Sequence, residues 1–243
     1  MPKIWVLRGI KKGVLTTGFP RRKPTPEETA ERCEPPVATE NSDWVAGENA
    51  CPTGAIRSTP EQRIELGKCI YCQRCANSGF IFGSSNESRV RASQAELIST
   101  NSIEALASKQ QMFKRSFHVL MIDVGSCNAC NLEVLNLSNP YYDLTRLGIF
   151  FTNSPKHADA LIVVGALNRA MVDVLKRTYE SIPEPKFVIS VGACAVSGGV
   201  FQKTASFVSP VQDVIPVDVI IPGCPPSPIQ ILEGFLLAIG KVE

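Results

Sequence analysis

Eight of the chain's nine cysteines sort by spacing into two sets of four: Cys51, Cys69, Cys72 and Cys75, then Cys127, Cys130, Cys194 and Cys224. Four thiolates around a cube of iron and sulfide are a protein's usual means of storing and passing one electron at low potential. Each set is therefore a candidate metal and cofactor site for one [4Fe-4S] cluster, two clusters in all, and the chemistry expected is electron transfer. The odd cysteine count and the C-x-x-C spacing favour metal or redox chemistry over a disulfide framework. Cys33 is left over and reads as a plain buried thiol.

The run Cys69-x2-Cys72-x2-Cys75 follows the bacterial ferredoxin pattern C-x2-C-x2-C-x3-C-P, in which the fourth cysteine serves the other cluster of a pair. Here the fourth position is Gly79, and counting back from Cys51-Pro52 by the same spacing lands on Gly47, Trp44 and Asn41. The positions for one cluster, 41, 44, 47 and 79, all lack a thiol, while those for its neighbour, 51, 69, 72 and 75, all keep one. So clean a sorting predicts one intact cluster site. Gly67-Lys68-Cys69-Ile70-Tyr71-Cys72 supplies a tight loop whose amides face the sulfurs. Four cysteines also suit tetrahedral zinc, which stands as the rival reading.

The elements around the second set explain its spacing. Beyond Lys114, apolar runs alternate with stretches of helical period. Residues 117–122, 149–151, 160–164, 187–191 and 217–221 predict buried strands, and 132–137, 170–179 and 229–239 predict helices. Such alternation implies an α/β unit, a parallel sheet with helices on both faces. Ligands collect beyond the carboxyl ends of such strands, and every cysteine of the second set falls there. Gly125, Gly192 and Gly223 precede the cysteines and let the backbone turn tightly. The plain alternative is four buried structural cysteines. A thiol–disulfide pair at Cys127 and Cys130 would leave Cys194 and Cys224 without purpose.

Composition agrees with a soluble, intracellular chain of one or two domains. Of 243 residues 44% are hydrophobic, and the net charge is +2. No apolar run reaches the roughly 18 residues of a membrane span, and no secretory or twin-arginine export signal is expected, since Lys23-Pro24-Thr25-Pro26 follows Arg21-Arg22. The first 26 residues hold Lys3, Arg8, Lys11, Lys12, Arg21, Arg22 and Lys23 with no acidic residue. Such a basic amphipathic start suits a partner subunit's groove ahead of a lipid surface. Nucleic acid is not expected as a partner, because the rest of the chain carries no basic stripe with interleaved aromatics. His118 and His157 lie away from the cysteine motifs and read as ordinary core or surface residues.

From about Lys114 to Glu243 the chain resembles the small subunit of membrane-bound, energy-converting [NiFe] hydrogenases and of the formate hydrogenlyase group. It is also similar to the complex I subunit that holds the last cluster before quinone. The resemblance rests on Gly125-Ser126-Cys127-Asn128-Ala129-Cys130-Asn131-Leu132-Glu133, on Gly192-Ala193-Cys194-Ala195-Val196-Ser197-Gly198-Gly199 and on Pro222-Gly223-Cys224-Pro225-Pro226. The separations support it, with 63 residues between Cys130 and Cys194 and 29 between Cys194 and Cys224. In the complex I branch the first two cysteines are adjacent. Here Asn128 and Ala129 part them, as in the hydrogenase branch, which more often has glycine where Ala129 stands. Residues 1–92 resemble the ferredoxin-like subunit that neighbours this one in the same complexes, with its two clusters reduced to one.

The resemblance implies a flavodoxin-like parallel sheet domain over residues 115–243, with a proximal cluster facing a large partner. It implies a ferredoxin-like α+β iron–sulfur domain over 1–92, including the basic start, and residues 93–114 read as a helical connector. The expected function is an electron-transfer subunit, cytoplasmic and peripheral on the inner face of the cell membrane. Electrons pass from a donor protein through both clusters to a hydrogenase-type large subunit, where H2 is made or oxidised. Other partners implied are membrane-embedded and ferredoxin-like subunits. The family's nickel ligands lie on the large subunit and are not found here, so catalysis is expected in the partner and no catalytic residue is assigned. Glu133 reads as a structural carboxylate accepting amide hydrogen bonds ahead of a proton-moving group. The alternative is the equivalent subunit of a complex I-like quinone oxidoreductase, or of a related complex lacking nickel.

Overall fold

Residues 35–82 are organised around two small apolar clusters. Helix α1 (Trp44–Ala50) starts at Asp43, whose carboxylate accepts the Ala46 amide at 3.0 Å, satisfying one of the free donors of the first turn. Strands β1 (Ile56–Arg57) and β2 (Arg63–Ile64) pair antiparallel, Ile56 opposite Ile64. Val37 bridges to Ile81 and closes the ends of the unit together. One cluster joins Ala55, Cys69 and Tyr71; the other joins Ile56, Cys75 and Phe80, with Trp44, Ile64 and Phe82 against it. A unit with so little apolar burial needs support besides a core. The computed structural model describes residues 11–13, 16–22, 35–82 and 109–241.

The second half forms β3 (Phe117–Asp123), β4 (Ile149–Phe151), β5 (Ala160–Val164), β6 (Phe187–Val191) and β7 (Val219–Ile221), with helices α2 (Ala129–Asn136), α3 (Val172–Ser181), α4 (Ala193–Ser197) and α5 (Pro228–Ala238). All five strands run parallel in the order β4-β3-β5-β6-β7. Renumbered within the sheet this is 2-1-3-4-5, the flavodoxin-like order. Every residue of β5 and β6 is buried, as a parallel sheet covered on both faces requires. Alternate side chains serve opposite layers. Ala160, Ile162, Val164, Phe187, Ile189 and Val191 pack with α2 and α5, while Leu161, Val163, Val188 and Ile220 pack with Leu175 of α3 and with Val211 and Ile215.

Helix α5 is apolar along most of its length and closes the sheet at β7. Ser227 and Gln230 form a reciprocal cap around Pro228 at its start. Gly234 lets it come close, since a Cβ there would stand 2.4 Å from Ile221 Cδ1. The expected strands and helices agree with these to within a few residues. The short α4, held between Gly192 and Gly198, was not expected, because five residues inside a cysteine loop carry no helical period.

Two further segments dock on the sheet. Phe19 is buried in its core, and Arg146 Nη2 donates to Thr17 O and Phe19 O at 3.2 and 3.3 Å. Residues 16–22 therefore pack on the sheet unit. From the connector, Lys109 Nζ reaches Lys186 O at 3.2 Å, Gln110 Nε2 donates to Leu237 O at 3.0 Å, and Phe113 enters the same core. Residues 92–108, Cys33 and most of the basic start lie outside the described residues. Among the described residues no helix is long and apolar enough to cross a membrane. Phe235 of α5 is fully buried in the larger core, so Phe235→Ala should lower unfolding stability by about 3–5 kcal/mol in urea titration; a loss under about 1 kcal/mol would contradict this packing.

Candidate metal centres

Strands β3, β5, β6 and β7 release the chain along one edge of the sheet, and backbone bonds tie the β6 exit loop to that of β7 and the β3 exit loop to that of β5. Gly192 N donates to Ile221 O and Ala193 N to Gly223 O, both at 2.8 Å, and Ala166 N donates to Gly125 O at 3.1 Å. Gly192 holds φ +87, and a Cβ there would stand 2.6 Å from Cys130 Sγ. Glycine thus allows the β6 loop to meet the thiol of the β3 loop. Cys130 and Cys194 are buried, Cys224 is half-buried and Cys127 is exposed. Burial first, then the charges of Cys194, Cys224, Cys127 and Glu133, push the Cys130 thiol up to about 12. Burial, then Cys224 and Cys127, push Cys194 up to about 11.

A carboxylate outside the cysteine pattern builds the first of these loops. Asp123 Oδ1 accepts the amides of Gly125 at 2.9 Å and Ser126 at 2.8 Å, while Oδ2 accepts Ser126 Oγ at 2.7 Å and Asn131 Nδ2 at 2.6 Å. One side chain therefore ties the end of β3 to the turn before Cys127 and to the helix bearing Cys130. Burial works against its ionisation, but the donors of Ser126, Gly125 and Asn131 outweigh it and hold Asp123 below the usual carboxylate range. The signal in the sequence is Asp123-Val124-Gly125-Ser126 at a strand end, where Asp commonly accepts amides one turn ahead.

The first set shares a single cavity, lined by all four of Cys51, Cys69, Cys72 and Cys75 together with Thr53 and Arg74. Tyr71 at φ +56 and Gln73 at φ +60 flank Cys72 in left-handed backbone, which non-glycine residues rarely adopt. Cys51 Sγ accepts the Ala55 amide at 3.2 Å. Burial pushes the Cys51 thiol up, but donors from Thr53, Ala55 and Ile56 outweigh it and hold it below its ordinary value. Burial pushes Cys69 up to about 12 against the Tyr71 amide, and Cys51, Cys75 and Cys72 add to the rise. Cys75 is raised by burial and by Cys51 and Cys72.

Both donor sets fit an iron–sulfur cluster in their chemistry. Burial and mutual repulsion keep such thiols protonated, and a cationic centre shared by four of them reverses that balance with release of protons. Amide donors at sulfur, as at Cys51, are the outer support such a centre uses. Four thiolates also suit one zinc ion, with each sulfur about 2.3 Å from the metal. Among the described residues no three Cys, His, Asp or Glu side chains close to a group that could hold a single metal ion.

The four positions without thiols also come together. A Cβ on Gly79 would stand 2.9 Å from Asn41 O, and one on Gly47 would stand 2.5 Å from the Phe80 ring. Trp44 meets Phe80 edge-on at 5.3 Å. Aromatic rings thus occupy the place that ligands at 41, 44, 47 and 79 would surround. Glu133 differs from expectation: among the described residues it makes no hydrogen bond or ion pair, and its effect is the charge it directs at Cys130. His118 stacks on Phe150 at 5.4 Å near Asp159, at the start of β3 and away from the cysteine edge.

The family model described as NADH ubiquinone oxidoreductase, 20 Kd subunit, matches residues 127–238, beginning at the first cysteine of the second set. The Pyrococcus furiosus protein named "Probable membrane-bound hydrogenase subunit mbhJ" is 42% identical over 128 residues, 53% of this chain and 77% of that one. The chain belongs to this family. Formate hydrogenlyase subunit 7 of Escherichia coli is 43% identical over 137 residues, 56% of this chain and 54% of its own length. The chain therefore spans about half of that relative. The uncharacterized protein MJ1363 of Methanocaldococcus jannaschii is 43% identical over 137 residues, 53% of this chain and 91% of that protein. The family is one of oxidoreductase subunits, and the resemblance read from the cysteine motifs is to this family.

Asp123→Ala removes hydrogen bonds worth about 0.5–1.5 kcal/mol each, so the metal-free chain should melt several degrees lower. Because the folded Asp123 pKa is depressed, its contribution is complete above the unfolded value near pH 4 and is lost as pH falls through the folded value. Melting curves of the two chains should therefore differ by a constant amount above about pH 4 and converge below it. A gap that persists at lower pH would show that Asp123 does not act as an ionised acceptor.

Proposed function

We propose that the chain is the electron-transfer subunit of a multisubunit, membrane-associated [NiFe] hydrogenase, relaying electrons through two [4Fe-4S] clusters to or from a large subunit that makes or oxidises H2. The observation that carries this reading is the gathering of the Cys127, Cys130, Cys194 and Cys224 loops at the carboxyl edge of a 2-1-3-4-5 sheet, where Cys130 Sγ lies against Gly192, in a family that includes the protein named "Probable membrane-bound hydrogenase subunit mbhJ". An iron–sulfur cluster supplies reversible one-electron storage when bound. Cys51, Cys69, Cys72 and Cys75 would hold one, and Cys127, Cys130, Cys194 and Cys224 the other. Asp123 keeps the loop before Cys127 in shape, amides of Thr53, Ala55, Ile56 and Tyr71 support the first set, and burial of four of the eight thiols excludes water.

The outward faces of the second set suit a permanent partner. On α2, Leu132 and Leu135 are 59% and 51% exposed, and Val200, in the turn after α4, is 53% exposed. Apolar side chains left outside beside Cys127 match the character of obligate subunit interfaces, which supports docking of the large subunit there. Membrane-embedded and ferredoxin-like subunits and a donor protein complete the complex, with the chain peripheral on the inner face of the membrane. The matching family model favours one second reading, the equivalent subunit of a complex I-like quinone oxidoreductase or of a related complex without nickel.

Anaerobic purification with the large partner should yield about eight irons per chain and nickel in the partner. Iron without nickel would select the second reading, and zinc in place of iron would exclude both. Leu132→Asp combined with Leu135→Asp should weaken capture of the large subunit at least about 30-fold, the effect of losing interface anchors, while iron content stays unchanged. Undiminished capture would remove α2 from the interface.

A further inference from the structure

The two cysteine sets meet at one seam. The turn Leu66–Lys68 leads directly into Cys69, and it packs on α4, the helix that carries Cys194. Ser197 Oγ lies 3.4 Å from Gly67 O and 2.9 Å from Ala193 O. One hydroxyl therefore sits between the backbone two residues before Cys69 and the first turn of the helix around Cys194. Cys69 and Cys194 are buried, whereas Cys72 and Cys127 are exposed. Each set thus joins the seam through the chain of a buried thiol and keeps a different thiol at the surface.

Two other observations single out this seam. The thiol-free positions 41, 44, 47 and 79 are packed by Trp44 and Phe80, so the set retained in this unit is the one whose loop touches α4. Beside the turn, Glu65 pairs with Arg57 at 2.8 Å, with Arg63 at 2.9 Å and with Lys68. Glu48 also faces Arg57, so three cations against two carboxylates leave one net positive charge along a cleft of about 520 Å³ faced by Val196, Ser197 and Gln212. Positive charge beside a redox centre favours its reduced state.

We infer that the Gly67–Ser197 contact is the bridge between the two sites, holding them near enough that electrons pass directly from one set to the other and that their unpaired spins interact. This rests on the two-cluster reading above. The step moves one electron from one site to the other, oxidising the first and reducing the second, with no bond made or broken. Gly67 and Ser197 act as positioning residues.

Electron paramagnetic resonance of the full chain, loaded anaerobically with iron and sulfide, tests this. At full reduction the spectrum should integrate to about two spins per chain, one for each reduced cluster, and show splitting or broadening that disappears when the sample is poised so that only one site is reduced. Ser197→Trp, which wedges an indole between the turn and α4, should shrink the splitting and leave the partly reduced spectrum unchanged. Two spins without interaction in the unaltered chain would overturn the bridge and leave the two-cluster relay standing. A full-reduction signal of one spin, with about four irons per chain, would overturn the relay itself. Splitting unchanged in a folded Ser197→Trp chain would remove the contact from the bridge.

Discussion

Buried thiols that crowd one another resist ionisation, and this constraint governs both cysteine sites. Cys69, Cys130 and Cys194 are each pushed far above the ordinary thiol value by burial and by their neighbours. A cation in their midst would convert that repulsion into attraction, with release of the thiol protons. The rest of the fold can be understood as the machinery that forces them together. In the sheet unit, parallel strands deliver three loops to one edge. In the smaller unit, left-handed turns at Tyr71 and Gln73 bend a short run around Cys72.

The two sites reach this state by different means. The second set borrows the stiffness of a large core: β5 and β6 are buried throughout, backbone bonds tie neighbouring exit loops in pairs, and Asp123 fixes the loop that carries Cys127 to the helix that carries Cys130. The first set has two small apolar clusters, and two of its four cysteines are themselves part of their buried cores. Its unit therefore depends more on whatever the cysteines hold. That asymmetry leaves a large sheet core carrying a smaller unit against α4.

Much of this was legible in the sequence because periodicity and spacing are local. The runs 160–164 and 187–191 read as buried strands and are β5 and β6 to the residue, and the three loops carrying Cys127, Cys194 and Cys224 fall at strand ends as expected. Counting the ferredoxin spacing led to 41, 44, 47 and 79, which the fold brings together around Trp44 and Phe80. Long-range contacts were not legible. Nothing in Phe19 announces that it enters the sheet core, nor does Ser197 announce that it meets Gly67 130 residues away. Asp123 was not legible as a site residue for a different reason: it lies outside the cysteine spacing and acts only through the loop that it shapes. Glu133 read as an amide acceptor, but that work belongs to Asp123.

Diffraction from the anaerobically loaded chain at the iron absorption edge addresses the proposed pair of centres most directly. The account predicts two compact anomalous peaks, one enclosed by Cys51, Cys69, Cys72 and Cys75 and the other by Cys127, Cys130, Cys194 and Cys224. A single peak, a signal that follows the zinc edge instead, or iron held by other side chains would contradict it.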